Sequence, residues 1–221
     1  MLLSEPPPTQ GDLHFRVAGI PVRVHPFFWL VTLVMGLSGR GDTPPAALVA
    51  WIVVVFVSIL VHELGHALLQ RKFGGRPWIT LHGIGGLASC DDCDRRPSSQ
   101  ILISLAGPAA GFFLAAIVFA AIKLSGHHAG WTSSEVVPAG VDGVILFGVA
   151  VYFEPFASFA ANEFVRNMLW VNIAWGLINL LPVYPLDGGR IAREVLTLRH
   201  PRRGIVWSYQ LSAVVAGGMA L

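Results

Sequence analysis

AALVAWIVVVFVSILVHELGHALLQ, residues 46–70, is the stretch on which the reading of the fold turns. Its twenty-five residues would rise about 38 Å as an α-helix, more than a hydrocarbon core of about 30 Å requires. The last third carries His62, Glu63 and His66. Each ionisable side chain in an apolar phase costs about 2–3 kcal/mol or more, so three within five residues call for a shared cause. H-E-L-G-H matches H-E-x-x-H. Residues i and i+4 of a helix share one face about 6 Å apart along the axis. Two imidazoles so placed can converge on one Zn2+, with bonds of about 2.0–2.1 Å. The glutamate between them can take a proton from water at the metal's open position. The alternative is a helix with two buried, hydrogen-bonded histidines and no metal.

The composition around this stretch suits a membrane. The 221 residues are 54% apolar and 13% charged, where about 25% charged is usual for a soluble domain. So little charge cannot coat a water-exposed surface. A net charge of +2 argues against nucleic acid, and two cysteines make no disulfide framework. Apolar runs at 26–38, 99–124, 165–183 and 204–221 join 46–70 as span candidates, the first of them short. Residues 1–12 read as a disordered, Pro-rich lead, and 13–24 as a strand or interfacial segment. Residues 78–89, WITLHGIGGLAS, read as a small hairpin or re-entrant piece. The apolar stretch 141–160 is broken by Glu154-Pro155 and reads as a half-span or lumenal layer. The expected fold is therefore an all-α polytopic membrane protein. It has about five to six transmembrane helices, with a β-hairpin or re-entrant segment near residues 75–95. Five spans are counted up to residue 221 against an expected five to six, and residues 13–221 are expected to form one intramembrane domain.

Lys and Arg concentrate in 71–96 and 190–203, which the positive-inside rule places on the cytoplasmic side. The His-Glu-His end of the long helix then lies near the cytoplasmic face. With no targeting signal in view, the default location is a prokaryotic plasma (inner) membrane.

A catalytic zinc takes a third protein ligand and keeps one position open. The downstream acids are Asp91, Asp92, Asp94, Glu135, Asp142, Glu154, Glu163, Asp187 and Glu194. Most sit in polar loops as solvated charges. Asp187 follows an apolar run at the depth inferred for His62 and His66, with Gly188 and Gly189 permitting close backbone approach. Its other reading is an N-cap for a short helix over 188–199. Asn179 could donate to a developing oxyanion, or make an interhelical hydrogen bond. Cys90 and Cys93 form a lone C-x-x-C, read as spectators ahead of a second metal site or redox pair. Gly107 and Gly111 form G-x-x-x-G, which suits close packing within the molecule or in a homo-oligomer.

VHELGHALL (61–69), GIGGLAS (83–89), SLAGPAAGF (104–112) and NLLPVYPLDGGR (179–190) together resemble the site-2 protease family of intramembrane zinc metalloproteases, and GIPVRVHPFF (19–28) is similar to its lead-in to the first span. The resemblance implies one Zn2+ per chain on His62, His66 and Asp187, Glu63 as general base, and Asn179 beside the substrate or its oxyanion. It also implies that Gly83, Ile84, Gly85, Gly86 and Leu87 pair with an unwound substrate backbone. The implied partners are a transmembrane protein substrate and the lipid bilayer, with regulated intramembrane proteolysis as the activity. Gly111 departs from the family pattern, which often has asparagine there. Two other functions share these residues: a non-catalytic relative that binds membrane helices, and a metal transporter. A transporter usually carries repeat symmetry, and no repeat is visible.

Overall fold

The computed structural model describes residues 5–38, 44–83 and 85–219. Strands β1 (Leu13–Val17) and β2 (Ile20–Val24) open the fold as a hairpin. The turn is Ala18-Gly19, with φ of +50° and +79°; two positive-φ residues match the right-handed twist of the flanking strands. Helix α1 (Pro26–Leu37) starts on Pro26, with the His25 side chain accepting from Phe27 N–H. Proline at the first position gives up a donor that has no partner there anyway. Helix α2 (Pro45–Lys72) contains H-E-x-x-H in its last third. Strands β3 (Arg76–His82) and β4 (Gly85–Asp91) form a second hairpin, followed by α3 (Pro97–Leu124).

Strands β5 (Ala129–Ser133), β6 (Asp142–Leu146) and β7 (Val149–Phe153) make a separate sheet. Helices α4 (Phe159–Asn179), α5 (Asp187–Arg199) and α6 (Gly204–Met219) complete the described chain.

The four-stranded sheet has the order β1-β2-β3-β4, antiparallel except for the β2–β3 pair. A parallel pair needs a long crossover, and α1 with α2 supplies it. Alternation along β2 and β3 points Ile20, Val22, Val24, Ile79 and Leu81 inward, each no more than 2% exposed. They join Phe28, Val54, Val55 and Ile59 in the main core. The three-stranded sheet has the order β5-β7-β6 and packs through Val144 and Phe153 on Ala115, Ile122 and Leu169. α2 ends and α3 begins at the first sheet, and α3 ends at the second, so the two sheets cap opposite ends of this helix pair.

This architecture corrects the expectation of an all-α protein with about five to six transmembrane helices. Six α-helices and seven strands are present among the described residues, and α2 and α3 are the two helices long and apolar enough to cross a membrane. α1 is apolar but has 12 residues, and α6 has 16. α4 has 21 residues, but Asn162, Glu163, Arg166, Asn167 and Asn172 interrupt the apolar run of its sequence. Residues 141–160, expected as a half-span or lumenal layer, hold the β6–β7 hairpin. It turns at Phe147 (φ +50°) and Gly148 (φ +81°). The physical reason is that β-branched valines alternate there with residues on the other face of a sheet, and a hydropathy count sees only their apolarity. Gly107 and Gly111 both face neighbours inside the molecule, the α2 histidines and Asn172 respectively. Cys90 and Cys93 are joined as a disulfide just where β4 ends.

Candidate active site

One turn of α2 separates His62 from His66, and their Nε2 atoms lie 3.1 Å apart. α3 crosses α2 closely enough that a Cβ on Gly107 would fall 2.2 Å from His66 Nε2 and 2.7 Å from His62 Nε2. Only a hydrogen fits, so this glycine is the floor on which both imidazoles rest. His66 Nδ1 lies 2.7 Å from the carbonyl oxygen of Ile103 on α3. A carbonyl only accepts, so Nδ1 carries the proton and the ring is fixed with Nε2 turned toward His62.

Asp187 arrives from the other side of the bundle. It is the first residue of α5; Leu186 holds the N-cap position without a side-chain cap bond. The carboxylate turns to the histidines, with Oδ2 3.2 Å from His62 Nε2 and 3.3 Å from His66 Nε2. A Cβ on Gly188 would fall 2.0 Å from the Leu180 carbonyl oxygen. The chain folds back on itself there with backbone against backbone, which is what the first glycine after Asp187 permits.

These three side chains are all buried, and their donor atoms lie within 4.8 Å of one another. The fit to a zinc ion rests on geometry and chemistry. The triangle His62 Nε2, His66 Nε2, Asp187 Oδ2 has edges of 3.1, 3.2 and 3.3 Å. A tetrahedral ion with bonds of about 2.0–2.1 Å holds its ligands about 3.3–3.4 Å apart. With Nδ1 protonated, the neutral ring of His66 turns a bare lone pair toward a carboxylate oxygen. Two acceptors at that distance repel unless a proton or a metal cation lies between them. Two imidazoles and one carboxylate are a donor set that zinc takes, leaving a fourth position open.

Glu63 is 6% exposed and lies under β4. A Cβ on Gly86 would stand 2.4 Å from Glu63 Cγ and 2.9 Å from Oε1, so the strand's backbone rests directly on this carboxylate. Gly85 abuts Trp175 of α4, and Asn179 donates from Nδ2 to the Trp175 carbonyl at 2.9 Å. Asn179 is buried at the end of α4, and its observed bond is within its own helix. Of the Gly-rich group, Gly83, Gly85, Gly86 and Leu87 form the β3–β4 turn and the start of β4, while Ile84 lies outside the described residues.

β4 is a terminal strand of its sheet, so the edge turned away from β3 has no strand neighbour among the described residues. The Gln70 side chain reaches it once, donating to the Ala88 carbonyl.

Sequence reasoning missed the roles of Ile103, Gly107 and Trp175. Gly107, half of the G-x-x-x-G pair and directly before Pro108, was legible as a packing position, but nothing marked it as the seat of the imidazoles. The remaining acids do not join the cluster: Asp142 pairs with Arg166, and Asp94 with Arg96.

A family model described as Peptidase family M50 matches residues 50–219. The chain is 26% identical over 212 residues to a zinc metalloprotease of Methanocaldococcus jannaschii, covering 94% of this chain and 51% of that protein. It is 33% identical over 199 residues to Rip3 of Mycobacterium tuberculosis, named as a zinc metalloprotease, covering 84% of this chain and 43% of that one. The chain thus spans about half the length of these relatives. Among solved structures, a site-2 protease from Methanocaldococcus jannaschii superposes with a TM-score of 0.55 at 25% identity, over 95% of this chain and 81% of that one.

Proposed function

This chain belongs to peptidase family M50, and on that premise we propose that it is an intramembrane zinc metalloendopeptidase that cuts transmembrane segments of membrane-anchored proteins. The observation that carries the reading is the buried convergence of His62, His66 and Asp187 beside Glu63, at the end of a helix long and apolar enough to span. His62, His66 and Asp187 would hold one zinc. When bound, the metal supplies Lewis acidity toward a water and a substrate carbonyl.

Glu63 takes a proton from the attacking water and returns it to the leaving amide nitrogen. The Asn179 amide has two hydrogens and uses one on Trp175. The other is available to the substrate oxygen as it gains negative charge. A substrate helix must open first, since its carbonyls are bonded to amides four residues on. The free edge of β4, from Gly85 onward, would pair with the opened segment and lay it over Glu63.

Arg71 and Lys72 close α2, and Arg76, Arg95 and Arg96 follow. They support a site nearer the cytoplasmic face of a prokaryotic plasma membrane.

The test pairs metal content with cleavage of a transmembrane substrate in proteoliposomes. Glu63→Gln should keep one zinc per chain and lose at least about 1000-fold in activity. Asp187→Ala should lose both zinc and activity. Near-normal turnover by the first variant refutes the base assignment, and full metal occupancy in the second removes Asp187 from the ligand set.

A further inference from the structure

Residues 5–12, EPPPTQGD, lie across the outer face of the four-stranded sheet, the face turned away from the helices. Strand register places His14 beside Arg23, Arg16 beside Pro21, and Arg23 beside Thr80 on that face. Both oxygens of the Glu5 carboxylate are engaged. Thr80 Oγ1 donates at 2.6 Å, Arg23 at 3.1 Å and Trp78 Nε1 at 3.2 Å. Arg23 also donates to the Pro6 carbonyl at 2.7 Å and to Asp12 at 3.2 Å. Thr80 is fully buried although it points away from the core.

Donors from two adjacent strands therefore form a receptor for a peptide carboxylate and for the carbonyl that follows it. The receptor is larger than its occupant. A groove of about 470 Å3 continues beside Glu5 and is lined by His14, Arg16, Arg23 and Trp78. Among the described residues, Arg16 and His14 form no ion pair there. Residues 5–12 are also lightly held. They have no regular secondary structure and make no backbone hydrogen bond to the sheet. Glu5, Asp12 and the Pro6 carbonyl tie them down.

We propose that this face is a docking site for an acidic, extended polypeptide segment of a partner protein, and that residues 5–12 occupy it in cis until a partner carboxylate displaces Glu5. The occupant seen is peptide, read through both a carboxylate and a backbone carbonyl, which favours polypeptide over an anionic lipid headgroup. Arg16, which forms no ion pair among the described residues, favours a partner with more than one acid. Charge-assisted hydrogen bonds of this kind are about twice as strong as neutral ones. A tethered competitor acts at a millimolar effective concentration.

The experiment uses the full chain in detergent and a fluorescent peptide of residues 5–12, capped at both ends. Glu5→Ala should bind this peptide at least about tenfold more tightly than the unsubstituted chain, because the internal competitor has lost the carboxylate that seats it. A peptide with glutamine in place of its glutamate should bind about tenfold more weakly. Arg23→Gln in the Glu5→Ala background should abolish binding. Thr80→Val, which keeps the side chain's shape, should weaken it about threefold. Zinc content should be unchanged throughout, so the outcome is independent of the protease reading. Equal binding of the two peptides, or binding of neither, overturns the proposal. Capture of phosphatidylglycerol vesicles through Arg23 with no peptide binding overturns it in favour of lipid.

Discussion

The two sheets cap opposite ends of the same helix pair and are built to different standards. The inward residues of the four-stranded sheet are essentially sealed, Val24, Ile79 and Leu81 at 0% exposure. The three-stranded sheet seals its own inward Ala150 and Phe153, at 2% and 0%, but its outer side and turn leave Trp131 72% exposed, Ile145 59% and Phe147 85%. The first sheet is a wall of the core and rests its last strand on Glu63. The second touches the helices through a few residues and leaves large apolar side chains facing outward. The closely packed end is the one that holds His62, His66 and Asp187, with the Gly86 backbone against Glu63.

The largest expected effect tests that contrast at two glycines. A methyl on Gly86 would meet Glu63 at Cγ, 2.4 Å away, in the stem of a buried side chain. One on Gly130 of β5 would meet the hydroxyl end of Tyr152 at 2.7 Å, and that ring can swing aside. Gly86→Ala should therefore lose about 100-fold in kcat/KM while keeping its zinc, since a shift of about 1 Å at a catalytic group has that cost. Gly130→Ala should stay within about twofold. Equal activities in a proteoliposome cleavage assay would show that the first sheet does not position Glu63.

Next in size is the stability of the walls. Ile79→Ala removes a fully buried side chain and should cost about 2–5 kcal/mol. Ile145→Ala, at a position 59% exposed, should change stability by less than about 0.5 kcal/mol. Thermal denaturation in detergent, read on both variants, checks the pair. Comparable losses would mean that the second sheet is as firmly packed as the first.

The two ends were also unequally legible in sequence. H-E-x-x-H needs only helical spacing to place two imidazoles together, and Asp187 stood out by depth and by the glycines after it. Among the strands, β3–β4 was legible as a hairpin or re-entrant piece over 78–89 and β1–β2 as a strand or interfacial segment over 13–24, while the second sheet did not stand out. The β1–β2 and β6–β7 turns are Ala18-Gly19 and Phe147-Gly148, both positive-φ pairs. Neither is the Asn-Gly or Asp-Gly pair that signals such a turn. The apolar run that holds β6 and β7 reads in sequence as a half-span or lumenal layer, with no sign of a sheet. α4 was taken for a span because its apolar residues outnumber its polar ones. Its polar residues are turned inward, however, with Glu163, Asn167 and Asn172 all buried. Gly107 looked like a helix-packing glycine, and it is one, but what it packs against is the pair of imidazoles.

The smallest effect belongs to the tie between the second sheet and α4. Arg166 reaches Asp142 at the start of β6 with one nitrogen, 2.9 Å from Oδ1 and 3.0 Å from Oδ2. The side chains are 27% and 21% exposed, so the pair is neither fully solvated nor sealed. Arg166 also pairs with Glu163 on its own helix, so losing Asp142 does not leave the guanidinium unanswered. A partly exposed ion pair is worth about 0.2–1 kcal/mol, and one whose cation keeps a second partner belongs at the low end of that range. Asp142→Asn should thus cost about 0.5 kcal/mol, with zinc content and cleavage unchanged. A loss as large as that of Ile79→Ala would make this one bridge the main attachment of the far sheet, and the contrast between a packed end and a tethered end would become one between two kinds of anchor.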